Sequence, residues 1–314
     1  MIIYVDAPLK KVQKDMLRCR VPDDDFIFKE ELPGKDEQLG ALLNADILLG
    51  NPKPVEWLQK AVNLKWVQLY STGFEYYNSV KIPAIITNVR DYYTQPCSET
   101  IIAGIMALYR KINTFSLLKD RKQWVGQKIR SELHLLYNKQ VIILGTGNIG
   151  RQIAKILKGG FDAEIIFFGR TARDAKLRSP DELLQHISWA DIIIGCLPGT
   201  NETKGLFTKE MIDGMKPTAL FCNVGRGNLV KDEDVLTDAL MNHKIGGAVL
   251  DVTAFEPIPP ESNLWNCPNT ILTQHSGGGQ ETEYDGILEL FIENLGNFKN
   301  GKPLKNQVNF SRAY

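Results

Sequence analysis

Short aliphatic runs alternate along this chain with stretches whose apolar residues recur at helical spacing. In the first third the runs fall at Ile2–Val5, Ala45–Leu49, Trp66–Leu69 and Ala84–Thr87, with helix-compatible stretches at Lys10–Arg18 and Val55–Ala61 between several of them. Strand–helix alternation of this kind predicts a small parallel sheet. From Ser98 to about Leu118 the pattern turns helical, and Ile101, Ile102, Ile105, Met106 and Leu108 crowd most of the surface. So apolar a helix is expected to lie buried between domains. A second alternating region begins at Val141, with strands at Val141–Leu144, Glu164–Phe168, Asp191–Cys196, Ala219–Asn223, Gly247–Val252 and Thr270–Thr273. Helices fit at Arg151–Lys158, Pro180–Ile187, Thr208–Met215 and Lys231–Asn242, and Thr282–Phe298 reads as one more at the end. The second region is expected to form a doubly wound sheet of about six strands.

Composition narrows the partners. Over 314 residues, 37 Lys plus Arg balance 37 Asp plus Glu, so no net field favours nucleic acid or an anionic membrane. No apolar run is long enough to span a bilayer, and the N-terminal Met1–Val5 reads as a first strand rather than a secretory signal. The five cysteines, Cys19, Cys97, Cys196, Cys222 and Cys267, are odd in number, dispersed and without metal-site spacing. That predicts neither a disulfide framework nor a bound metal, and a reducing, cytoplasmic setting.

The most informative motif is Gly145-Thr146-Gly147-Asn148-Ile149-Gly150, which leaves an aliphatic strand and opens a helix. In that context the first glycine makes a tight turn, the second admits a pyrophosphate to the backbone, and the third lets helix and strand pack closely. The pyrophosphate is expected on the N–H groups of the helix N-terminus, around Asn148 and Ile149. The residue that reads the ribose belongs about 20 residues further on, at the end of the next strand. NAD sites usually place Asp or Glu there, but this chain has Gly169-Arg170-Thr171-Ala172-Arg173. Arg170 and Arg173 offer charge-assisted forks to a 2′-phosphate that a carboxylate would repel. NADP is therefore the expected cofactor, with NAD as the secondary one.

Polar residues at the ends of the later strands supply candidate chemistry, because open α/β sheets bind ligands at their carboxyl edges. Strand Ala219–Asn223 runs into Val224-Gly225-Arg226-Gly227, Gly247–Val252 carries Asp251 and leads to Glu256, and Thr270–Thr273 runs into Gln274-His275. Ketone reduction by a dihydronicotinamide leaves negative charge on oxygen and needs a proton donor within reach. Histidine changes protonation near neutral pH, and a carboxylate on its other ring nitrogen would fix the tautomer. His275 is thus the expected acid/base, Glu256 its partner, and Arg226 the residue that clamps an α-carboxylate and polarises the adjacent carbonyl.

The ordered segments GTGNIG, WADIIIGCLPGTNETKGLF, MKPTALFCNVGRG, GAVLDVTAFEPIP and TQHSGG resemble the D-isomer-specific 2-hydroxyacid dehydrogenases, with NADPH-dependent glyoxylate/hydroxypyruvate reductases the nearest in character. The resemblance implies an α/β fold, a Rossmann-type doubly wound parallel sheet plus a smaller flavodoxin-like substrate domain. The substrate domain would comprise residues 1–97, completed by 283–314, and the dinucleotide-binding domain residues 98–282. It implies the same Arg226, Glu256 and His275 site, with Ser71, Thr72 and Gly73 presenting backbone amides to the substrate carboxylate. Leu197, Pro198 and Thr203 would line the cofactor cleft, while Asp251 and the Val224 carbonyl would hold the nicotinamide amide. A homodimer packed through the dinucleotide domain is implied, for which the helix from Ser98 is the candidate surface. The implied reaction is hydride transfer between NADP(H) and a small 2-oxo or D-2-hydroxy acid. The alternatives are an NAD-linked D-2-hydroxyacid (phosphoglycerate-like) dehydrogenase and a dinucleotide-sensing corepressor-like protein. This chain departs from the family in the bulk of Asn88–Pro96, where Arg90 is either a second anion contact or a core or interdomain salt bridge. Phe74, Tyr76 and Tyr77 either narrow a pocket or belong to the core.

Overall fold

A computed structural model describes residues 1–310. The chain forms two compact units, one of residues 1–93 with 280–314 and one of residues 94–279. The first unit contains β1 (Ile2–Val5), α1 (Lys11–Arg20), β2 (Asp25–Phe28), α2 (Lys35–Leu43), β3 (Ile47–Leu49), α3 (Trp57–Lys60), β4 (Trp66–Gln68) and β5 (Ile85–Thr87). The second contains α4 (Thr94–Tyr109), α5 (Ile112–Asp120), β6 (Gln140–Leu144), α6 (Asn148–Phe161), β7 (Glu164–Phe168), α7 (Pro180–His186) and β8 (Ile192–Gly195). It continues through α8 (Lys209–Asp213), β9 (Leu220–Asn223), α9 (Glu233–Met241), β10 (Gly247–Leu250) and β11 (Thr270–Leu272), after which α10 (Glu283–Lys299) returns to the first unit.

The first sheet is all parallel in the order β2-β1-β3-β4-β5, the flavodoxin-like arrangement. Strand β2 carries no signal in the apolar pattern, because it is a short edge strand entered from a run of aspartates. Helix α10 is fixed to this sheet by Trp66, which stacks on Phe291 at 5.2 Å and on Phe298 at 5.7 Å. Beneath it a buried polar chain runs from Trp66 Nε1 to Thr87 Oγ1 (2.8 Å), on to Gln68 Oε1 (2.8 Å), which also accepts from Asn294 Nδ2 (3.2 Å). Burying these groups is tolerable because each finds a partner.

The second sheet is also all parallel, in the order β11-β10-β9-β8-β6-β7. Beyond β7 a single parallel bridge, Phe168 to Leu177, stands where the usual dinucleotide-binding order 3-2-1-4-5-6 has its third strand. Strands β6, β8 and β9 are buried along almost their whole length, as continuous aliphatic runs covered on both faces require.

The single long helix expected from Ser98 to Leu118 is two helices, bent by 66° at a break between Tyr109 and Ile112. Lys111 takes a left-handed φ of 55° there, which ends the hydrogen-bond ladder. Helix α4 packs inside the second unit: Ile101 and Ile105 are fully buried, and Gly104 lies so close to Val249 that a Cβ would come within 2.5 Å of it. Its apolar crowding thus reflects burial against its own sheet. Among the described residues no single helix is long and apolar enough to cross a membrane.

Candidate active site

The glycine-rich turn has the shape that the sequence pattern predicts. Gly145 has a φ of +120°, and a Cβ on it would meet the Cys196 carbonyl oxygen at 3.0 Å. A Cβ on Gly150 would lie 2.6 Å from the Gly145 carbonyl oxygen, whereas one on Gly147 would meet nothing within 4 Å. The first and third glycines are therefore demanded by packing, and the second faces open space. Gly147 is the N-cap of the fourteen-residue α6 and supplies no side-chain cap, so the first-turn N–H groups point at that space. These residues fit a bound pyrophosphate.

At the end of β7, Gly169 is buried and Arg170, Thr171 and Arg173 are exposed. Arg170 pairs with Glu202, which lies on the loop after β8. That loop is closed on itself by Thr203, whose Oγ1 donates to the Pro198 carbonyl at 2.5 Å. Leu197 and Pro198 are half-buried and Val224 is buried. Cys97 and Cys196 are structural thiols, and burial pushes both upward, Cys97 to about 12.

The strand ends β9, β10 and β11, neighbours in the sheet, carry the candidate chemistry. Arg226 is threaded between two glycines that have no room for a side chain. A Cβ on Gly225 would lie 2.5 Å from the Leu197 carbonyl oxygen, and one on Gly227 would lie 1.8 Å from that of Thr253. The buried Asn223 side chain pins this turn, accepting from Gly225 N at 3.1 Å and donating to the Arg226 carbonyl at 2.9 Å. The Arg226 guanidinium donates from Nη1 to the Gly225 carbonyl at 2.8 Å.

Thr253, against which Gly227 packs, donates its backbone N–H to Glu256 Oε1 at 3.0 Å. The other carboxylate oxygen, Oε2, is 2.7 Å from His275 Nδ1. His275 is itself held from behind, its backbone N–H donating to the Asp251 carbonyl at 2.6 Å. Gln274 and His275 have φ of 54° and 55°, successive left-handed residues that are each unfavourable by about 1 kcal/mol without glycine. Such a conformation persists where surrounding contacts over-determine it, and it aims the imidazole at Glu256. Asp251 is buried and its Oδ1 accepts from Thr273 Oγ1 (2.5 Å) and Gly277 N (2.9 Å), so a ligand would engage its Oδ2.

In the first unit the Ser71–Gly73 loop spends its carbonyl oxygens locally. They accept from Val89 N (3.4 Å), Asn88 Nδ2 (2.8 Å) and Ser71 Oγ (2.7 Å), respectively. What remains to offer a ligand is N–H groups. Arg90 is not a core ion pair: its side chain is 67% exposed and its nearest acid is Asp91 at 3.8 Å. Phe74 and Tyr77 are buried core residues and Tyr76 is exposed. Asn88, Asn223, Glu202, Arg151 and Arg178 escaped the sequence reading, because single polar residues that bond to backbone or to other loops have no periodicity.

Comparison with known proteins identifies the family. Residues 102–277 match the family model described as D-isomer specific 2-hydroxyacid dehydrogenase, NAD binding domain. A probable 2-ketogluconate reductase of Dictyostelium discoideum is 32% identical over 86% of this chain and 84% of its own length. Glyoxylate/hydroxypyruvate reductase B of Pectobacterium carotovorum subsp. carotovorum is 30% identical over 96% of each chain. Among solved structures, a D-isomer specific 2-hydroxyacid dehydrogenase family protein of Aeromonas salmonicida is 28% identical, with a TM-score of 0.84 over 98% of this chain and 99% of that one. With the glycine-rich turn, the Arg226 turn and the His275–Glu256 pair on one parallel sheet, the chain belongs to the D-isomer-specific 2-hydroxyacid dehydrogenase family of nicotinamide-dependent oxidoreductases.

Proposed function

We propose that this protein reduces a short 2-oxo acid of the glyoxylate or hydroxypyruvate kind to the D-2-hydroxy acid, with NADPH as the preferred coenzyme. The observation that carries the reading is the 2.7 Å bond between His275 Nδ1 and Glu256 Oε2, at the carboxyl edge of the sheet that bears the dinucleotide turn. When bound, the dihydronicotinamide supplies the hydride. Gly145, Gly147, Asn148, Ile149 and Gly150 hold its pyrophosphate, and Leu197, Pro198, Thr203, the Val224 carbonyl and Asp251 hold the nicotinamide half. Glu256 accepts the Nδ1–H of His275 and leaves Nε2 to give its proton to the carbonyl oxygen as negative charge develops there. Arg226 forks onto the substrate carboxylate and stabilises the same oxygen. Ser71, Thr72 and Gly73 keep the anion-binding role that the family resemblance implies, through their amide N–H groups.

Gly169, Arg170, Thr171 and Arg173 read the adenosine ribose and its 2′-phosphate. Loss of reduced-nicotinamide absorbance with a panel of 2-oxo acids and both coenzymes tests the reaction. Tight coenzyme binding with no turnover across the panel would favour a sensor instead. Arg170→Ala is expected to raise KM for NADPH about tenfold, the scale of one charge-assisted fork, with KM for NADH unchanged. Equal changes with both coenzymes would remove the NADP assignment.

The active species is proposed to be a homodimer. The surface that supports it is α5 and the segment after it, where Ile112, Leu117, Leu135 and Tyr137 are exposed and Trp124 is 96% exposed. Phe115, Leu118 and Trp124 also line a cavity of about 420 Å3. Exposed large apolar side chains this frequent along one segment are what a surface covered by a second copy would carry. Trp124→Arg is expected to shift the light-scattering mass from dimer toward monomer, and an unchanged dimer would move the interface elsewhere. All five cysteines are free thiols, which supports a reducing, cytoplasmic setting.

A further inference from the structure

The loop after β7 carries the two arginines assigned to the 2′-phosphate, and it also carries an acid, Asp174. Two further arginines, Arg151 and Arg178, bond to it. Arg178 Nη1 donates to the Arg170 carbonyl at 2.9 Å and Nη2 to the Ala172 carbonyl at 3.0 Å, with the Arg173 carbonyl at 3.5 Å. Arg151, in the first turn of α6, donates from Nε to the Thr146 carbonyl of the glycine-rich turn at 2.9 Å. Its Nη1 and Nη2 fork onto the two oxygens of Asp174 at 2.6 and 3.0 Å, and this contact holds the Asp174 carboxyl below the usual carboxylate range. The base of the loop is closed by Gly169 N to Leu177 O at 2.9 Å and Leu177 N to Phe167 O at 3.1 Å. Gly169 lies against Thr146, whose Cγ2 a Cβ would approach to 3.0 Å.

A phosphate monoester carries about −1.5 to −2 charges at neutral pH. An unneutralised carboxylate and outward-facing carbonyl oxygens would both oppose it. A solvent-exposed loop also loses conformational entropy when a ligand orders it, and pre-ordering removes that penalty from binding. We propose that Arg151 and Arg178 are positioning residues for an NADP-binding loop. Arg178 gathers the loop's carbonyl oxygens, and Arg151 masks Asp174 and ties it to the glycine-rich turn. The phosphate ligands are Arg173 and Arg170, the latter exchanging its Glu202 partner for the phosphate. This rests on the NADP reading above and adds to Arg170 and Arg173 two arginines, Arg151 and Arg178, whose part is shown by their contacts.

The test is calorimetric titration of the coenzyme-free protein with adenosine 2′,5′-bisphosphate and with 5′-AMP, which differ by the 2′-phosphate. Arg151→Ala and Arg178→Ala are each expected to lower the affinity ratio about tenfold, the scale of a lost charge-assisted pair, leaving 5′-AMP affinity unchanged. Arg178→Lys, which keeps the charge and carries the test should the alanine variant not fold, is expected to fall with it, because one ammonium cannot span spread carbonyls as a guanidinium does. The double variant Arg151→Ala/Asp174→Asn is expected to regain most of the ratio, which a merely structural role for Arg151 would not allow. An unchanged ratio in the Arg151 and Arg178 variants, or no gain from Asp174→Asn, overturns the proposal if Arg170→Ala and Arg173→Ala do lower it. If those two also leave the ratio unchanged, the NADP reading falls and takes this inference with it.

Discussion

Replacing His275 with Asn is expected to lower kcat by about 10²–10⁴-fold, the range for losing a positioned general acid, with little change in coenzyme affinity. Asparagine tolerates the left-handed backbone observed at position 275 better than most residues, so the variant removes the proton donor with least disturbance to the turn. Its amide can still reach toward Glu256, but it cannot deliver a proton to an alkoxide. Glu256→Gln is expected to lower kcat less, because the imidazole stays and only its orientation and tautomer are lost. Glu256 is fixed at both ends, by Thr253 N at 3.0 Å and by His275 Nδ1 at 2.7 Å, so the two side chains act as one unit. The double variant should therefore be scarcely worse than His275→Asn alone. Steady-state assays of all three decide this. Near-wild-type kcat in His275→Asn would remove His275 as the acid, and additive losses would uncouple Glu256 from it.

Arg226→Ala is expected to lower kcat/KM by about 10²–10³-fold, with KM rising and kcat falling together. One guanidinium both binds the carboxylate in the ground state and meets charge that appears only as the carbonyl is reduced. Arg226→Lys should recover little, since an ammonium lacks the forked donor geometry. Besides the Arg226 Nη1 bond to the Gly225 carbonyl at 2.8 Å, the turn is held by the glycines on either side and by the Asn223 hydrogen bonds of 2.9 and 3.1 Å. Alanine at 226 should consequently keep the fold, at the cost of one side-chain hydrogen bond, about 1 kcal/mol. By contrast, Gly227→Ala would drive a Cβ into the Thr253 carbonyl oxygen. A near-wild-type kcat/KM in Arg226→Ala would dismiss the residue from both roles.

Much of the fold could be read from composition and periodicity because its strands are short, continuously aliphatic and separated by helices of ordinary length. Strands β1 and β7 appear at Ile2–Val5 and Glu164–Phe168 in both the pattern and the structure. The edge strand β2 and helix α2 gave no pattern. The helix read from Ser98 broke at Lys111, where a local backbone conformation overrides a continuous apolar signal. The inward packing of α4 also shows why apolar crowding by itself does not say which neighbour covers a helix.

By itself the sequence determined the parallel α/β class, the dinucleotide turn and the candidacy of Arg226, Glu256 and His275, because each depends on local periodicity or on residue types placed just after an aliphatic run. Tertiary structure decided that Glu256 meets His275, since nothing local links residues separated by a strand and its connection. It also decided that Arg226 is pinned by Asn223 and Gly227, and that Arg151 and Arg178 grip the loop that Arg170 and Arg173 occupy. Those contacts depend on side-chain direction and on which strand ends the sheet order makes adjacent. Such information is absent from periodicity and is created only when the sheet assembles.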